Sequence, residues 1–424
     1  MEPIAAGESQ MIEFRSERAY CQDVPLAELA SAFATPLYVY SRQRLEANYR
    51  RVADAFAPLR ARVRYSVKAN SSGAILRLLR DWASGFDVVS GGELYRTLRA
   101  GADPKTIVFA GVGKTDAELN FAVERGVGWI NVESREEIEA LDAIATSRDA
   151  RPRAALRLNP AVEADTHPHI ATGGARSKFG IDLAEAERLL ANAPRFPHVD
   201  LAGLHVHVGS QLASPDATVD AVQAALTLID RYRLRMLDIG GGFPVNYRAD
   251  GNPTTPMPDP SAFAQALAPM LRDRDLELLI EPGRSIVAEA GLLLTRVLSV
   301  KQRAGRQLVV VDAGMTELIR PALYAAYHPI VPLDAHRADP IPTDVVGPVC
   351  ESADAFARDR PLPPLKRGAL LAITHAGAYG MSMASNYNSR LRPAEVMIDG
   401  ATISLVRRRE TLEDLVSAEM GFDE

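Results

Sequence analysis

Val63-Arg64-Tyr65-Ser66-Val67-Lys68-Ala69-Asn70 alternates apolar and polar side chains with period two, which predicts a strand. Asn70-Ser71-Ser72-Gly73 follows, a turn cluster of the kind that opens a helix. The strand therefore runs out at Lys68. A lysine in that place can point into a pocket, where partial desolvation lowers its pKa and bares a nucleophilic amine. Most lysines at strand ends are simply solvated, so the octamer counts only if the rest of the chain builds a site around it.

Downstream the pattern repeats. Strands are expected near 62–68, 86–90, 106–112, 128–132, 153–159, 200–208, 234–240 and 276–281. Amphipathic helices are expected at 73–82, 93–100, 116–125, 135–145, 183–192, 217–232 and 261–272. Eight strands alternating with helices predict a closed (β/α)8 barrel, with an open doubly wound sheet as the rival. The barrel is preferred because the chemistry-bearing residues follow strands one, six, seven and eight, and closure brings those ends to one mouth. The connection 159–180, with Thr166-His167-Pro168-His169 and Thr172-Gly173-Gly174, is long enough to be functional or mobile.

After Ser285 short strand patterns take over, at 292–300, 307–311, 343–349, 369–374 and 395–398. They predict a second, mostly antiparallel β domain, in which Asp359-Arg360-Pro361-Leu362-Pro363-Pro364 reads as a loop. The expected division is a barrel over 36–285 and a β domain made of 1–35 and 286–424.

The formal charge of −6 leaves no basic stripe, which argues against nucleic acid and anionic membranes as partners. No apolar run reaches the ~20 residues that span a bilayer. Cys21 and Cys350 are too few for a disulfide framework, so the expected location is cytoplasmic.

Three further clusters bear on chemistry. Asp238-Ile239-Gly240-Gly241-Gly242 ends strand seven, and successive glycines let backbone N–H groups converge on an anion. A tight turn explains one glycine easily and three poorly. Glu281-Pro282-Gly283-Arg284 ends strand eight, where Glu281 can pair with Arg284 in solvent or meet a cationic ring nitrogen. His205-Val206-His207-Val208-Gly209-Ser210 puts two histidines on one face of strand six. They fit a zinc pair, core packing, or a ring stacked on an aromatic cofactor whose phosphate meets Ser210. A cofactor with an aldehyde, a phosphate and a ring nitrogen unites the set. Lys68 forms a Schiff base, Gly240–Gly242 and Ser210 hold phosphate, His207 stacks, and Glu281 keeps the ring nitrogen protonated. That cofactor is pyridoxal 5′-phosphate, and no metal is called for.

On these residues the chain resembles the barrel-type pyridoxal-phosphate decarboxylases and, within them, the diaminopimelate decarboxylase family. The matching segments also include Phe86-Asp87-Val88-Val89-Ser90-Gly91-Gly92-Glu93-Leu94, Lys178-Phe179-Gly180-Ile181 and Asp312-Ala313-Gly314-Met315. Arg320-Pro321-Ala322-Leu323-Tyr324, Gly347-Pro348-Val349-Cys350-Glu351-Ser352 and Gly377-Ala378-Tyr379-Gly380 complete them. His169 stands where an aromatic residue is common in the family. The resemblance implies that Lys68 carries the Schiff base, His207 stacks and Glu281 meets the pyridinium. It gives Gly241, Gly242, Pro282, Gly283, Arg284 and Tyr379 to the cofactor. Arg284, Arg320 and Tyr324 go to the substrate's distal carboxylate end, with Tyr379 close by. Glu351 is placed near the substrate amine and Cys350 as proton donor, both serving the partner subunit of a homodimer.

The implied reaction is decarboxylation of meso-2,6-diaminopimelate to L-lysine. An arginine fork suits its distal carboxylate, and glutamate rather than aspartate after the cysteine argues against a bare-amine substrate. Ornithine, lysine and carboxynorspermidine remain the alternatives on the same fold.

Overall fold

The computed structural model describes residues 11–160, 177–248, 257–303, 305–334 and 338–420. The chain divides into two compact units, Tyr49–Asn246 with Thr255–Ser285, and Met1–Asn48 with Tyr247–Thr254 and Ile286–Glu424.

In the first unit eight parallel strands close into a barrel. They are β1 (Arg62–Ser66), β2 (Gly85–Val88), β3 (Ile107–Phe109), β4 (Trp129–Val132), β5 (Arg153–Leu158), β6 (Asp200–Val206), β7 (Met236–Asp238) and β8 (Glu277–Ile280). The final pairing, β8 with β1, sets Ile280 opposite Val63. Val108, Trp129, Ala155, Ala202, Met236 and Leu279 form one buried cluster, one residue from each of six consecutive strands. Burying an aliphatic or aromatic side chain in this way contributes about 1.5–3 kcal/mol.

The intervening helices begin where their caps dictate. Ser90, Thr115, Ser134, Asp182 and Asp259 each accept a backbone N–H at a helix start, and Thr115 with Glu118 forms a reciprocal box. All eight expected strands are present. β1 stops at Ser66, however, and Lys68 lies in the single 3-10 turn Val67–Ala69 that follows it. Residues 161–176, which hold most of the long connection with His167 and His169, fall outside the described residues.

The second unit is built on a nine-stranded sheet. Its axis is the long strand Gly291–Arg303, which pairs with Leu37–Ser41 and Leu370–Ile373 over its first half and with Arg306–Val311 over its second. Most pairings are antiparallel. Arg306–Val311 with Ile341–Val346, and Leu37–Ser41 with Ala394–Asp399, are the parallel ones among the described residues. Leu26, Leu29, Leu37, Val39, Leu292, Leu294, Val396 and Ile398 share its core.

Two expectations change here. Leu37–Ser41 belongs to this sheet rather than to the barrel, so the barrel unit opens at Tyr49 and not at residue 36. The Asp359–Pro364 stretch is not wholly a loop either, since Ala355–Leu362 is a strand pairing with Ile341–Val346 at the sheet's edge. Edge strands tolerate prolines, whose missing N–H removes no interior ladder bond, and Pro361 sits opposite Pro342 across a bulged register.

Candidate active site

The barrel places its polar residues at the carboxyl ends of neighbouring strands. Ser66 of β1 lies in register with Asp87 of β2, and its hydroxyl is 2.7 Å from Asp87 Oδ2 and 3.1 Å from the Glu281 carbonyl oxygen. Lys68, one turn beyond, brings Nζ to 3.6 Å from the same Asp87 oxygen. Its side chain is 41% accessible while that of Asp87 is fully buried, so the amine is open to a ligand and its counter-ion is not.

His205 of β6 lies opposite Asp238 of β7. Both are buried, as is Glu281 just past β8. His205 Nε2 lies 3.3 Å from Glu281 Oε2, and one ligand-type atom from each of the three falls within 4.8 Å of the others. Burial first, then the charge of Asp87, pushes the Glu281 carboxyl up to about 8. Burial and the neighbouring Glu281 hold Asp238 well above the usual carboxylate range. Burial also brings the His205 imidazole down to about 4, so it is neutral at physiological pH. This spacing would also suit a metal's ligands, yet His207, the other half of the histidine pair, is not one of the three. Its Nδ1 accepts the Gly241 N–H at 3.2 Å, and the ring is half-buried.

The three glycines are required by close packing. A Cβ on Gly240 would meet His207 Nδ1 at 2.6 Å, and one on Gly241 would meet the Glu281 carbonyl oxygen at 2.3 Å. Gly242, at φ 96°, would meet the Gly209 carbonyl oxygen at 2.7 Å. Two of their N–H groups are committed inside the protein, Gly240 to Asp238 Oδ1 and Gly241 to His207. The expected anion cradle therefore rests less on these amides and more on Ser210 and Arg284, whose Nη2 donates to the Ser210 hydroxyl at 3.1 Å. Pro282 and Gly283 join Glu281 to Arg284, and Gly283 packs its backbone against the Ser66 and Ala69 side chains.

A polar layer supports the rim. Arg157 of β5 pairs with Glu133 at 2.8 Å, both buried. Burial raises the Glu133 carboxyl, but the charge of Arg157 and the Gly180 N–H outweigh it, so the group stays ionised.

The remaining expected site residues lie in the second unit. Arg320 is buried at the start of the short helix Arg320–Tyr324, with Nη1 2.9 Å from His328 Nε2 and its guanidinium 4.6 Å from the Tyr247 ring centre. His328 Nδ1 is 3.0 Å from the Thr374 carbonyl, so that nitrogen carries the proton and Nε2 accepts from Arg320. Tyr324 follows one turn on, half-buried. Tyr379 adopts φ 54°, a left-handed conformation costing a tyrosine of order 1–3 kcal/mol, of the kind that clusters at functional sites. Cys350 is an exposed free thiol whose own N–H is accepted by Asn388 Oδ1 at 3.0 Å. The exposed Glu351 accepts the Tyr387 hydroxyl at 2.6 Å.

Sequence reasoning gave no role to Asp87 or Asp238 and left His205 open between packing and metal. The available signal was a polar residue interrupting an apolar run at a strand end, as in Phe86-Asp87-Val88 and Leu237-Asp238-Ile239.

Residues 42–288 match the family model described as pyridoxal-dependent decarboxylase, pyridoxal binding domain. Over 411 residues the chain is 44% identical to a diaminopimelate decarboxylase of Pseudomonas aeruginosa, spanning 96% of this chain and 98% of that one. Among solved structures, a diaminopimelate decarboxylase from M. jannaschii in complex with L-lysine aligns with a TM-score of 0.91 and 34% identity, over 97% of this chain and 98% of that one. The Helicobacter pylori diaminopimelate decarboxylase complexed with L-lysine gives a TM-score of 0.87 and 39% identity, over 93% and 99%. The chain belongs to the pyridoxal-dependent decarboxylases and, within them, to the diaminopimelate decarboxylase family.

Proposed function

We propose that this chain removes CO2 from meso-2,6-diaminopimelate to yield L-lysine, the last step of lysine biosynthesis, with pyridoxal 5′-phosphate as cofactor. The observation that carries the reading is the rim of the barrel, where the paired strands β1 and β8 lead to an accessible amine on Lys68 and a buried carboxyl, Glu281, whose Oε1 lacks a hydrogen-bond partner among the described residues. An orphaned buried carboxyl oxygen fits a cationic ring nitrogen, and the Ser210–Arg284 pair fits phosphate oxygens. When bound, the cofactor supplies an electron sink for the pair left behind by the departing carboxylate.

Lys68 holds the cofactor by its amine, and Asp87 keeps that amine placed. The open face of His207 packs on the ring. Glu281, whose carboxyl is raised when no cation is near, would be held ionised beside a protonated ring nitrogen, because a cation beside a carboxyl favours the charged form. Gly241, Gly242, Pro282 and Gly283 allow this close approach of backbone. Arg284, Arg320, Tyr324 and Tyr379 bind the substrate, the guanidinium groups meeting its distal carboxylate. Cys350 returns a proton to Cα after CO2 leaves, and Glu351 meets the substrate amine. Both act on the active site of the partner subunit of a homodimer. Exposed Leu323, on the Arg320–Tyr324 helix, and exposed Tyr387, whose hydroxyl donates to Glu351, support such an interface. No helix among the described residues is long and apolar enough to cross a membrane, and the reading places the enzyme in the cytoplasm.

The test is CO2 release from diaminopimelate, lysine, ornithine and carboxynorspermidine, with turnover expected on the first. Equal release from lysine or ornithine would overturn the substrate. Lys68→Ala should remove both turnover and the visible absorbance of bound cofactor. Cys350→Ala should slow turnover and leave the absorbance, and wild-type rates in that variant would overturn the donor.

A further inference from the structure

Beneath Glu281 lie two groups with no part in the chemistry above. Asp238 Oδ2 and Glu281 Oε1 have no hydrogen-bond partner among the described residues, and neither do the ring nitrogens of His205. Yet the three side chains come within 4.8 Å of one another, on three adjacent strand ends. Two carboxyls packed together away from water do not both ionise, because each charge opposes the other and neither is solvated. The nearby cations do not outweigh burial. Lys68 and Arg157 lower the Glu281 carboxyl only in part, since Lys68 also meets Asp87 and Arg157 meets Glu133. One carboxyl must therefore keep a proton even when the other is charged.

Geometry decides which. Asp238 Oδ1 is fixed as an acceptor by the Gly240 N–H at 2.9 Å, so a proton on this side chain goes to Oδ2, the oxygen otherwise orphaned. Glu281 stands at the end of β8, where a ring cation can neutralise it, whereas Asp238 is wholly buried. We propose that Asp238 is a neutral carboxylic acid in the working enzyme and a positioning residue. Its Oδ2–H donates to Glu281, while uncharged His205 backs the other Glu281 oxygen, so that the carboxylate is held in one orientation with its charge undivided. The inference rests on Glu281 being the partner of the ring nitrogen. Burial and the adjacent Glu281 push the Asp238 carboxyl strongly upward, in agreement with the geometry.

Asparagine keeps the acceptor for Gly240 and replaces O–H by N–H, so Asp238→Asn preserves the arrangement without an ionisable group. Asp238→Leu removes it. Difference infrared spectra of the cofactor-loaded enzyme at neutral pH should contain the carbonyl stretch of a protonated, buried carboxylic acid that disappears in Asp238→Asn. The cofactor dissociation constant should stay within about threefold in Asp238→Asn and rise about 10- to 100-fold in Asp238→Leu, the loss of one hydrogen bond to a charged group. Identical infrared spectra for wild type and Asp238→Asn would overturn the proposal, and so would equal weakening by Asn and Leu. Where Asp238→Leu fails to fold, the isosteric variant still decides. Glu281→Gln separates the two readings: an unchanged cofactor spectrum in that variant would count against the ring-nitrogen role alone, and a missing Asp238 band in the wild-type enzyme against the proton assignment alone.

Discussion

A buried amide of the β unit and a buried acid cluster of the barrel are treated in opposite ways. In the β unit Gln307 is wholly buried and fully used: Nε2 donates to Thr343 Oγ1 and to the Pro363 carbonyl, both at 2.8 Å, and Oε1 accepts the Leu365 N–H at 3.1 Å. In the barrel, His205, Asp238 and Glu281 are equally buried and leave four atoms without partners. A satisfied buried amide supports the fold. An acid cluster without cationic partners lowers stability unless it holds a proton or meets a cation, which is how a site that needs a cation stores its preference for one. Of these two, the group left with incomplete hydrogen bonding is the one at the site.

Substitutions on the two sides should fail in opposite ways. Glu281→Gln removes the charge meant for the ring nitrogen and should reduce kcat about 10²–10³-fold, the range seen when one preorganised electrostatic group is lost. The same change should leave the cofactor-free protein at least as stable, because an acid that resists ionisation has been replaced by a neutral isostere. Gln307→Ala should do the reverse. Thermal or denaturant unfolding should show a loss of about 1–3 kcal/mol, with turnover per folded molecule unchanged. If Gln307→Ala instead cut kcat while sparing stability, the division between supporting and working polar groups would be wrong.

The fold was largely legible because its signals are local. Period-two strands, capped helices and the Gly240–Gly242 turn all fall where the chain's own neighbours dictate. Lys68, His207 and Glu281 could be picked out because each ends a strand pattern. The support beneath them could not. His205, Asp238 and Glu281 are far apart in sequence and meet only through the register of three neighbouring barrel strands. Nothing local in Leu237-Asp238-Ile239 reports on a carboxyl one strand away. The proline-bearing strand Ala355–Leu362 was missed for a related reason, since its place at a sheet edge is a property of the whole sheet.

The smallest expected effect is a slope. Folding raises the Glu281 carboxyl from an ordinary 4.5 to about 8. A group whose folded pKa is raised contributes its full stability below the unfolded value and loses it as pH climbs through the folded one. In the cofactor-free protein this term is therefore present below about pH 4.5 and declines toward pH 8. His205, pulled from 6.5 to about 4, adds the opposite trend, fully present above pH 6.5 and lost as pH falls through 4. Between about pH 6.5 and 8 only the Glu281 term of these two is still changing. The melting temperature of the cofactor-free protein should accordingly fall across that window, and the fall should be shallower in Glu281→Gln. Loading the cofactor should flatten it as well, because a cation beside Glu281 lowers the carboxyl's pKa again. A slope equal in wild type and Glu281→Gln would show that the acid is not held back in the folded protein, and the contrast with Gln307 would then lose its physical basis.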